Sequence, residues 1–336
     1  KHRMLFNLNG YYNRSLAEMT MYPNDPNENS MFMLTWPDVR TLYSGIYSED
    51  RFSIGSNKEL KFTARFGIQN ATIGDEFGLN SLRIFYHDLE DSKTRITYNL
   101  ASQYDMSIKN TKLLFSLGYG ERAPSVSEGY GFFLYNSFDN YDYIGNPYLN
   151  NEKALEFNTI INQSFNKFKV GAEASYFYIS DYIIGITDPD LDQMTIGADG
   201  VRVYTALDHA NIINTSVNAS YKPFTSWTLT GMLSYNIGKD NNSNNLPLIS
   251  PFSYRAALHF KKNLFDAEVN LNGASKQINF SSYYGENETD AYTIVNLNAS
   301  YKFYFGNQNL YLKAGIENVF DTYYSTYSDW NNIPRM

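Results

Sequence analysis

Cysteine is absent from this 336-residue chain, and its absence excludes several kinds of site. Without thiols there is no disulfide framework, no thiolate nucleophile and no cysteine-bound metal. Histidine is scarce, and none of the four residues has a ligand-type spacing or lies beside a plausible nucleophile. Ser125 and Ser127 lack the Gly-x-Ser-x-Gly turn of a hydrolase. The sequence therefore predicts a protein that is not an enzyme.

Long hydrophobic runs and an excess of basic residues are also missing. No stretch approaches the ~18 uninterrupted apolar residues of a transmembrane helix, and the mean hydropathy is −0.43. Insertion as strands stays open, because half of each strand in a membrane barrel faces a polar lumen. The net charge of −8 argues against nucleic acid as a partner, because binding to phosphates requires a basic surface.

The region from Tyr292 to Val319 contains two long segments in which apolar and polar residues alternate. Side chains alternate across a strand with a period of two, so each segment separates an apolar face from a polar one. Segments of this length are long for a globular sheet and suit a tilted bilayer span. Because the pattern is repeated along the chain, the sequence predicts an all-β fold, a transmembrane antiparallel β-barrel.

Aromatic residues make up 17% of the chain, with 30 Tyr and 23 Phe. This share is high for a soluble domain, and membrane barrels carry aromatic girdles at both interfaces because the ring and the polar tip are satisfied there together. A soluble, aromatic-rich β protein is the alternative. We predict about 15 strands, among them segments 79–88, 200–208 and 211–222. Tight connections alternate with longer ones, and segments 15–39, 120–152 and 183–199 are predicted as long outer loops that carry binding.

Three motifs resemble those of TonB-dependent outer-membrane receptors. Segment 120–130 (GERAPSVSEGY) resembles the family's "R-A-P-S…E-L-Y" stretch, and segment 145–156 (GNPYLNNEKALE) resembles its "G-N-P-x-L…E" element. Segment 315–324 (GIENVFDTYY) resembles the "E-N-L-F-D-x-x-Y" signature of a late barrel strand. The residues that carry the resemblance are Arg122, Pro124, Glu128, Asn146, Pro147, Glu152, Asn318, Asp321 and Tyr324.

The resemblance implies an architecture and a set of partners. Such receptors fold a plug inside a barrel of about 22 strands, so residues 1–336 are expected to be one partial barrel domain without the plug, the TonB box or the closing strand. A complete porin-like barrel of roughly 14–16 strands is the alternative. The resemblance also implies a bacterial outer-membrane location, contact with membrane lipids and lipopolysaccharide, and energising by the TonB-ExbB-ExbD complex through the plug.

Four of the nine methionines fall within one predicted outer segment, as Met19-Thr20-Met21 and Met31-Phe32-Met33. Met-x-Met in an extended backbone places two thioethers on one side, and soft sulfur selects Cu(I) among the common metals. The turn-forming residues 22–28 are suited to bring the two pairs together. The hypothesis is a copper site at Met19, Met21, Met31 and Met33, with copper as the transported ligand and no firm cofactor. The alternative is that these methionines pack a hydrophobic loop.

A second candidate site is the aromatic loop between residues 130 and 143. Tyr130, Phe132, Tyr135 and Tyr141 are suited to stack on a siderophore, haem or glycan, or to pack the loop on itself. The expected function is TonB-dependent uptake of a scarce small ligand, either a metal ion or a metal chelate. The alternatives are a passive porin and a barrel that binds other surface proteins.

Overall fold

The computed structural model describes residues 2–23, 27 and 29–329, and the fifteen strands among them form one sheet. The first strands are β1 (His2–Met21), β2 (Met31–Ile54), β3 (Lys58–Ile73), β4 (Ser92–Ile108) and β5 (Thr111–Arg122). The middle strands are β6 (Leu134–Asn136), β7 (Tyr141–Ile144), β8 (Glu152–Ser164), β9 (Phe168–Thr187) and β10 (Val201–Phe224). The last are β11 (Trp227–Asp240), β12 (Ser253–Lys262), β13 (Phe265–Ala274), β14 (Tyr292–Phe305) and β15 (Gln308–Ile316).

Thirteen of the fifteen strands form a continuous wall in which each strand is antiparallel to the next. The order is β1-β2-β3-β4-β5-β8-β9-β10-β11-β12-β13-β14-β15, and within the described residues β1 and β15 are the two edges. The short strands β6 and β7 lie off this path, where β7 pairs with the start of β10 in parallel. The all-β, antiparallel prediction is confirmed. No helix in the described part of the chain is long and apolar enough to cross a membrane.

The two faces of the wall differ as the alternation predicts. On β14, Leu297 lies in register with Val269 and Ile316 and is exposed on the outer face. On the opposite face, Asn270 accepts hydrogen bonds from Asn296 at 2.9 Å and from Asn272 at 3.0 Å. Polar side chains on this inner face therefore satisfy one another, while the outer face exposes apolar side chains, as a lipid-facing surface requires.

The connections at the two ends of the wall differ in length. One end has tight turns at residues 55–57, 109–110, 165–167, 225–226, 263–264 and 306–307. Aromatic rings cluster on the outer face there, with Trp227 4.7 Å from Phe260 and Phe260 6.1 Å from Phe265 between ring centroids. The other end carries the long loops. In membrane β-barrels the short turns are periplasmic and the long loops extracellular. The end of the wall with the tight turns is therefore assigned to the periplasmic side, and the end with the long loops to the extracellular side.

Three predicted strands and one predicted loop are wrong in detail. Segment 79–88 is not a strand, because helix α1 (Glu76–Arg83) occupies its first half, with Asp75 accepting a hydrogen bond from the Gly78 backbone as N-cap. Segments 200–208 and 211–222 form the single strand β10. Segment 15–39 is mostly strand, because β1 and β2 extend beyond the wall as a long hairpin.

The hydrophobic core lies inside the extracellular mouth of the wall. It is built by loop residues and strand ends, including helix α1 and helix α2 (Val126–Tyr130). Side chains in the middle of the wall face lipid or the lumen, so only the mouth has a dry interior. The core consists of Met33, Val39, Ala71, Ile73, Leu79, Leu82, Leu89, Tyr130, Phe132, Phe133, Ile144 and Val201.

Candidate functional site

The β1–β2 hairpin brings the four predicted methionines onto one face. The strand register places Met19 opposite Met33 and Met21 opposite Met31. Residues two apart on a strand share a face, so the register places the four methionines in a two-by-two arrangement on that face. The connecting residues 24–26 and 28, which belong to the predicted turn, lie outside the described residues.

The methionine group runs from the core to the surface. Met33 is buried at 3% exposure, Met19 and Met21 pack against the core, and Met31 is 40% exposed. Met194, from the loop after β9, packs against the same core. Among the described residues, no group of three or more His, Cys, Asp or Glu is placed to hold a metal. The arrangement therefore offers soft thioether donors next to an apolar interior.

The four predicted aromatic residues separate into two kinds. Tyr130 and Phe132 are buried in the core, at 4% and 6% exposure. Tyr135 stays 38% exposed, and its hydroxyl donates to Asn140 Oδ1 at 2.6 Å. The ring of Tyr141 lies 4.3 Å from the guanidinium of Arg202. Tyr135 and Tyr141 are thus the members of this set that remain at least partly accessible to a ligand.

The first family motif forms an ion-pair network at the top of β5. Arg122 Nη1 lies 2.7 Å from Glu128 Oε2, and Arg122 Nη2 lies 2.7 Å from Glu152 Oε2. Glu128 also belongs to a capping box with Ser125, whose backbone N–H donates to Glu128 Oε2 at 2.6 Å. Pro124 is buried beside them. The network fixes the point where the chain leaves the wall to form the loop 123–151.

Burial of Glu128 opposes its ionisation, but hydrogen bonds from Arg122 and Ser125 outweigh that effect and hold the pKa of the Glu128 carboxyl below its ordinary value. Glu152 also accepts the backbone N–H of Ile183 at 3.2 Å, which ties β8 to β9. The Glu128 carboxylate therefore stays charged at neutral pH, and the network joins α2 to two strands of the wall.

The other motif residues also stabilise turns. Pro147 presents its carbonyl to Lys93 Nζ at 2.8 Å and Arg95 Nη2 at 3.1 Å, while Asn146 Oδ1 accepts the backbone N–H of Tyr148. Asn318 bonds Thr322 through both ends of its amide. Asp321 and Asn318 adopt positive φ, and the ring of Tyr324 lies 4.6 Å from that of Tyr292. These residues hold loops to the wall and do not converge on one ligand position.

A buried charged cluster in the mouth was not identified from the sequence. Arg202 Nε lies 3.1 Å from Asp139 Oδ2, with both side chains 3% exposed, and the Tyr143 hydroxyl donates to the same carboxylate at 2.6 Å. Burial and this hydrogen bond raise the pKa of Tyr143, so the phenol stays a donor. No local motif links Asp139 to Arg202, because they are brought together by the pairing of β7 with β10.

Beneath the motif network, the inner face of the wall holds a polar recess of about 500 Å³. Tyr11 stacks on Tyr43 at 5.2 Å, and Arg65 Nε donates to the Tyr43 hydroxyl at 3.1 Å. Arg122 and Ser125 line its outer rim. The recess connects the loop region to the lumen, and apart from the motif residues Arg122 and Pro124 no residue in it was predicted as a site residue.

The comparisons with known proteins agree on one family. The family described as "TonB dependent receptor-like, beta-barrel" matches residues 2–319. No relative with a curated description matches the sequence. A solved structure of the copper transporter OprC is similar with a TM-score of 0.79 at 17% identity, covering 97% of this chain and 49% of that one.

Two further solved receptors are similar in fold. A mutant of the ferric enterobactin receptor PfeA from Pseudomonas aeruginosa matches with a TM-score of 0.60 at 14% identity, covering 95% of this chain and 54% of that one. The FrpB iron transporter from Neisseria meningitidis matches with a TM-score of 0.62 at 12% identity, covering 88% and 44%. The chain thus spans about half the length of these receptors. The family match over residues 2–319 shows that the chain belongs to the β-barrel family of TonB-dependent receptors.

Proposed function

We propose that the protein takes up a scarce small ligand across the bacterial outer membrane. Family membership supports this proposal. The wall also has tight turns at one end and, at the other, loops that are long enough to form a binding site. Because the wall offers a polar inner face, its role is to bind the ligand and to enclose a path. Energy comes from the periplasmic TonB-ExbB-ExbD complex, acting through a plug that the family folds within the barrel.

The ligand proposed first is a soft metal ion, Cu(I). The observation that carries this assignment is the register of the β1–β2 hairpin, which sets Met19 opposite Met33 and Met21 opposite Met31 on one face. Thioether sulfur is a soft ligand that favours Cu(I) over Mg²⁺, Ca²⁺ or Mn²⁺. The partial burial of the group gives a bound ion an apolar surrounding, and exposed Met31 gives it an entrance. A similar fold belongs to a protein named as a copper transporter.

A metal chelate is the second candidate ligand. Tyr135 and Tyr141 retain accessible ring surface at the mouth, and aromatic rings stack on planar organic ligands. Solved structures of similar fold include several of one protein named as the ferric enterobactin receptor PfeA. In this case the methionines contribute packing to the hairpin, a role that flexible thioether side chains suit.

The deciding experiment is a titration of the purified full-length receptor with Cu(I) under reducing conditions. We expect wild type to bind copper stoichiometrically and the variant Met19→Leu, Met21→Leu, Met31→Leu, Met33→Leu to lose that binding. Leucine conserves volume and hydrophobicity, so the hairpin is expected to remain folded. The matched control replaces Met4, at the opposite end of β1, and Met106 and Met232, on β4 and β11, with Leu and is expected to bind as wild type does.

Equal copper binding by wild type and the four-fold variant would contradict the metal site. Binding of ferric chelates by both proteins, lost when Tyr135 and Tyr141 become Ala, would then favour the second candidate.

A further inference from the structure

Two arginines stand next to each other on the outer face of the wall, just above its apolar belt. Arg14 on β1 and Arg40 on β2 are direct register partners. They share the outer face with Leu42 and Ile46, which are 58% and 48% exposed. Val39 and Thr41, which flank Arg40 on β2, are buried on the inner side. The pair is therefore directed away from the lumen and from every candidate ligand site described above.

The position of Arg14 and Arg40 along their strands places them at the boundary between the membrane and the external water. Moving toward the tight turns, the next outer residues are Tyr12 and Leu42, and apolar Leu8, Ile46 and Phe66 follow two rows further. Moving the other way, the strands rise into the extracellular hairpin. Because long loops mark the extracellular side, the arginines lie at the level of the headgroups of the outer leaflet.

The charges in this cluster do not balance. Asp38 is the acidic partner of both arginines, through Arg14 Nε on Oδ1 and through Arg40 Nη2 at 2.7 Å on Oδ2. The carboxylate is 6% exposed, whereas the guanidinium side chains are 53% and 45% exposed. Each guanidinium has five N–H donors, and Asp38 occupies one nitrogen of each. One excess positive charge and most of the donors therefore face outward.

The surroundings hold the cluster in place. Gly74, at the end of β3, leaves room for it, because a Cβ there would lie 2.6 Å from Asp38 Oδ2 and 2.7 Å from Arg40 Nε. Thr72 is the register partner of Arg40, and its hydroxyl lies 3.2 Å from that of Ser92. The arginines thus stand beside a row of hydroxyl groups on neighbouring strands, a polar outer surface directly above an apolar one.

We propose that Arg14 and Arg40 bind the phosphate group of an outer-leaflet lipid of the lipopolysaccharide type. Guanidinium groups match phosphate in planar, bidentate hydrogen bonding, and the acyl chains of such a lipid would lie on the apolar belt below. Asp38 orients the two side chains and leaves one positive charge to be neutralised. The site anchors this edge of the hairpin to the membrane surface and is independent of the transported ligand.

The test is a lipid titration of the delipidated full-length receptor in a neutral detergent, followed by native mass spectrometry. The probe is bis-phosphorylated lipid A. We expect Arg14→Gln and Arg40→Gln each to weaken binding about fivefold and the double variant about 25-fold. The matched control is Arg51→Gln with Arg255→Gln, two arginines on the inner face of the wall, and it is expected to bind as wild type does.

Two further arms identify the source of the phosphate. Lipid A without phosphates is expected to bind wild type as weakly as phosphorylated lipid A binds the double variant. Equal binding of both lipids by wild type would overturn the proposal. Inorganic phosphate at the same concentration is expected not to compete, and full competition would show a free-anion site only. If the double variant does not fold, the two single variants carry the test, and lipid A binding as tight as that of wild type in both of them would contradict the proposal.

Discussion

Glu128 is the residue on which the loop 123–151 depends most directly. Its carboxylate accepts from Arg122 and from the Ser125 backbone, while its own backbone N–H donates to Ser125 Oγ at 3.3 Å. The side chain therefore joins a strand end, a helix cap and a loop in one position. Glu128 therefore stabilises the loop through several hydrogen bonds acting together rather than through any single one.

We expect Glu128→Gln to weaken this junction by about 2 kcal/mol, because the charge-assisted pair with Arg122 is lost, whereas the glutamine oxygen still accepts the Ser125 N–H in the capping box. Amide hydrogen exchange over residues 123–133 of the full-length receptor measures the change. Glu59→Gln, which removes a long contact of 3.9 Å to Arg51 on the wall, is the control. Equal protection in wild type and Glu128→Gln would show that the junction is held by packing alone.

Acid is expected to act on two loops in opposite directions. The lowered pKa of Glu128 means that its stabilising contribution is complete above its ordinary value of 4.5 and is lost as pH falls through the folded-state pKa. Glu286 is buried at 3% exposure, and burial raises its pKa. Its contribution to stability is complete below pH 4.5 and is lost as pH rises through the raised pKa.

Exchange measured from about pH 3 to 7 should therefore show protection around α2 rising with pH below 4.5 and protection in the loop 275–291 falling with pH above 4.5, after correction for intrinsic rates. Glu286→Gln is expected to remove the pH dependence of the second loop and leave the first unchanged. Parallel pH responses in both loops would contradict this assignment.

At the scale of elements, adjacent residues of β14 face two different environments, the lipid on the outer face and the polar lumen on the inner face. Leu297 faces outward beside Val269 and Ile316, whereas Asn298 faces inward beside Glu268 and Gly315. We expect Leu297→Arg to destabilise the inserted receptor by about 2–4 kcal/mol, the cost of an arginine near the bilayer midplane. Asn298→Arg, one residue away, should change stability little because the lumen is polar. Denaturant titration in phospholipid vesicles measures both, and equal effects would refute the assignment of the faces.

The β7–β10 contact is the element on which the mouth depends, because it buries Arg202 against Asp139. Arg202→Met is expected to cost about 3–5 kcal/mol, since it leaves a buried carboxylate without its cation. Combining Arg202→Met with Asp139→Asn, which removes the charge and keeps an acceptor for the Tyr143 hydroxyl, should recover most of that loss. A double-mutant cycle on unfolding free energy measures the coupling, and additive single effects would show that the pair is not coupled.

At the scale of the whole molecule, energised uptake and passive diffusion make different predictions. A TonB-dependent receptor needs its periplasmic partner for transport but not for binding, whereas a porin needs it for neither. We therefore expect ligand uptake by cells expressing the full receptor to fall to background when TonB is inactivated, with surface binding retained. Uptake that continues without TonB and rises linearly with ligand concentration would favour the passive alternative.

The wall could be predicted from the sequence because its signal is local. Alternation along Thr293 to Phe303 assigns both faces of β14 without any knowledge of its neighbours. The same rule failed at residues 79–88, where Leu82, Ile84 and Tyr86 also alternate. Asp75 caps a helix there, and Leu79 and Leu82, three residues apart, are buried on one side of it. A short segment can satisfy both the strand period of two and the helix period of about 3.6 residues. Packing against the core in the mouth decided between strand and helix here.

The sequence by itself determined the fold class, the family and the residue types available for binding, because period-two alternation, aromatic content and motifs are properties of nearby residues. Tertiary structure alone decided which of those residues meet. Register, set by cross-strand hydrogen bonds, put Met19 opposite Met33 and Arg14 opposite Arg40. The folding of the loops into the mouth buried Tyr130 and left Tyr135 exposed. These outcomes depend on contacts between distant segments, which no local pattern in the sequence specifies.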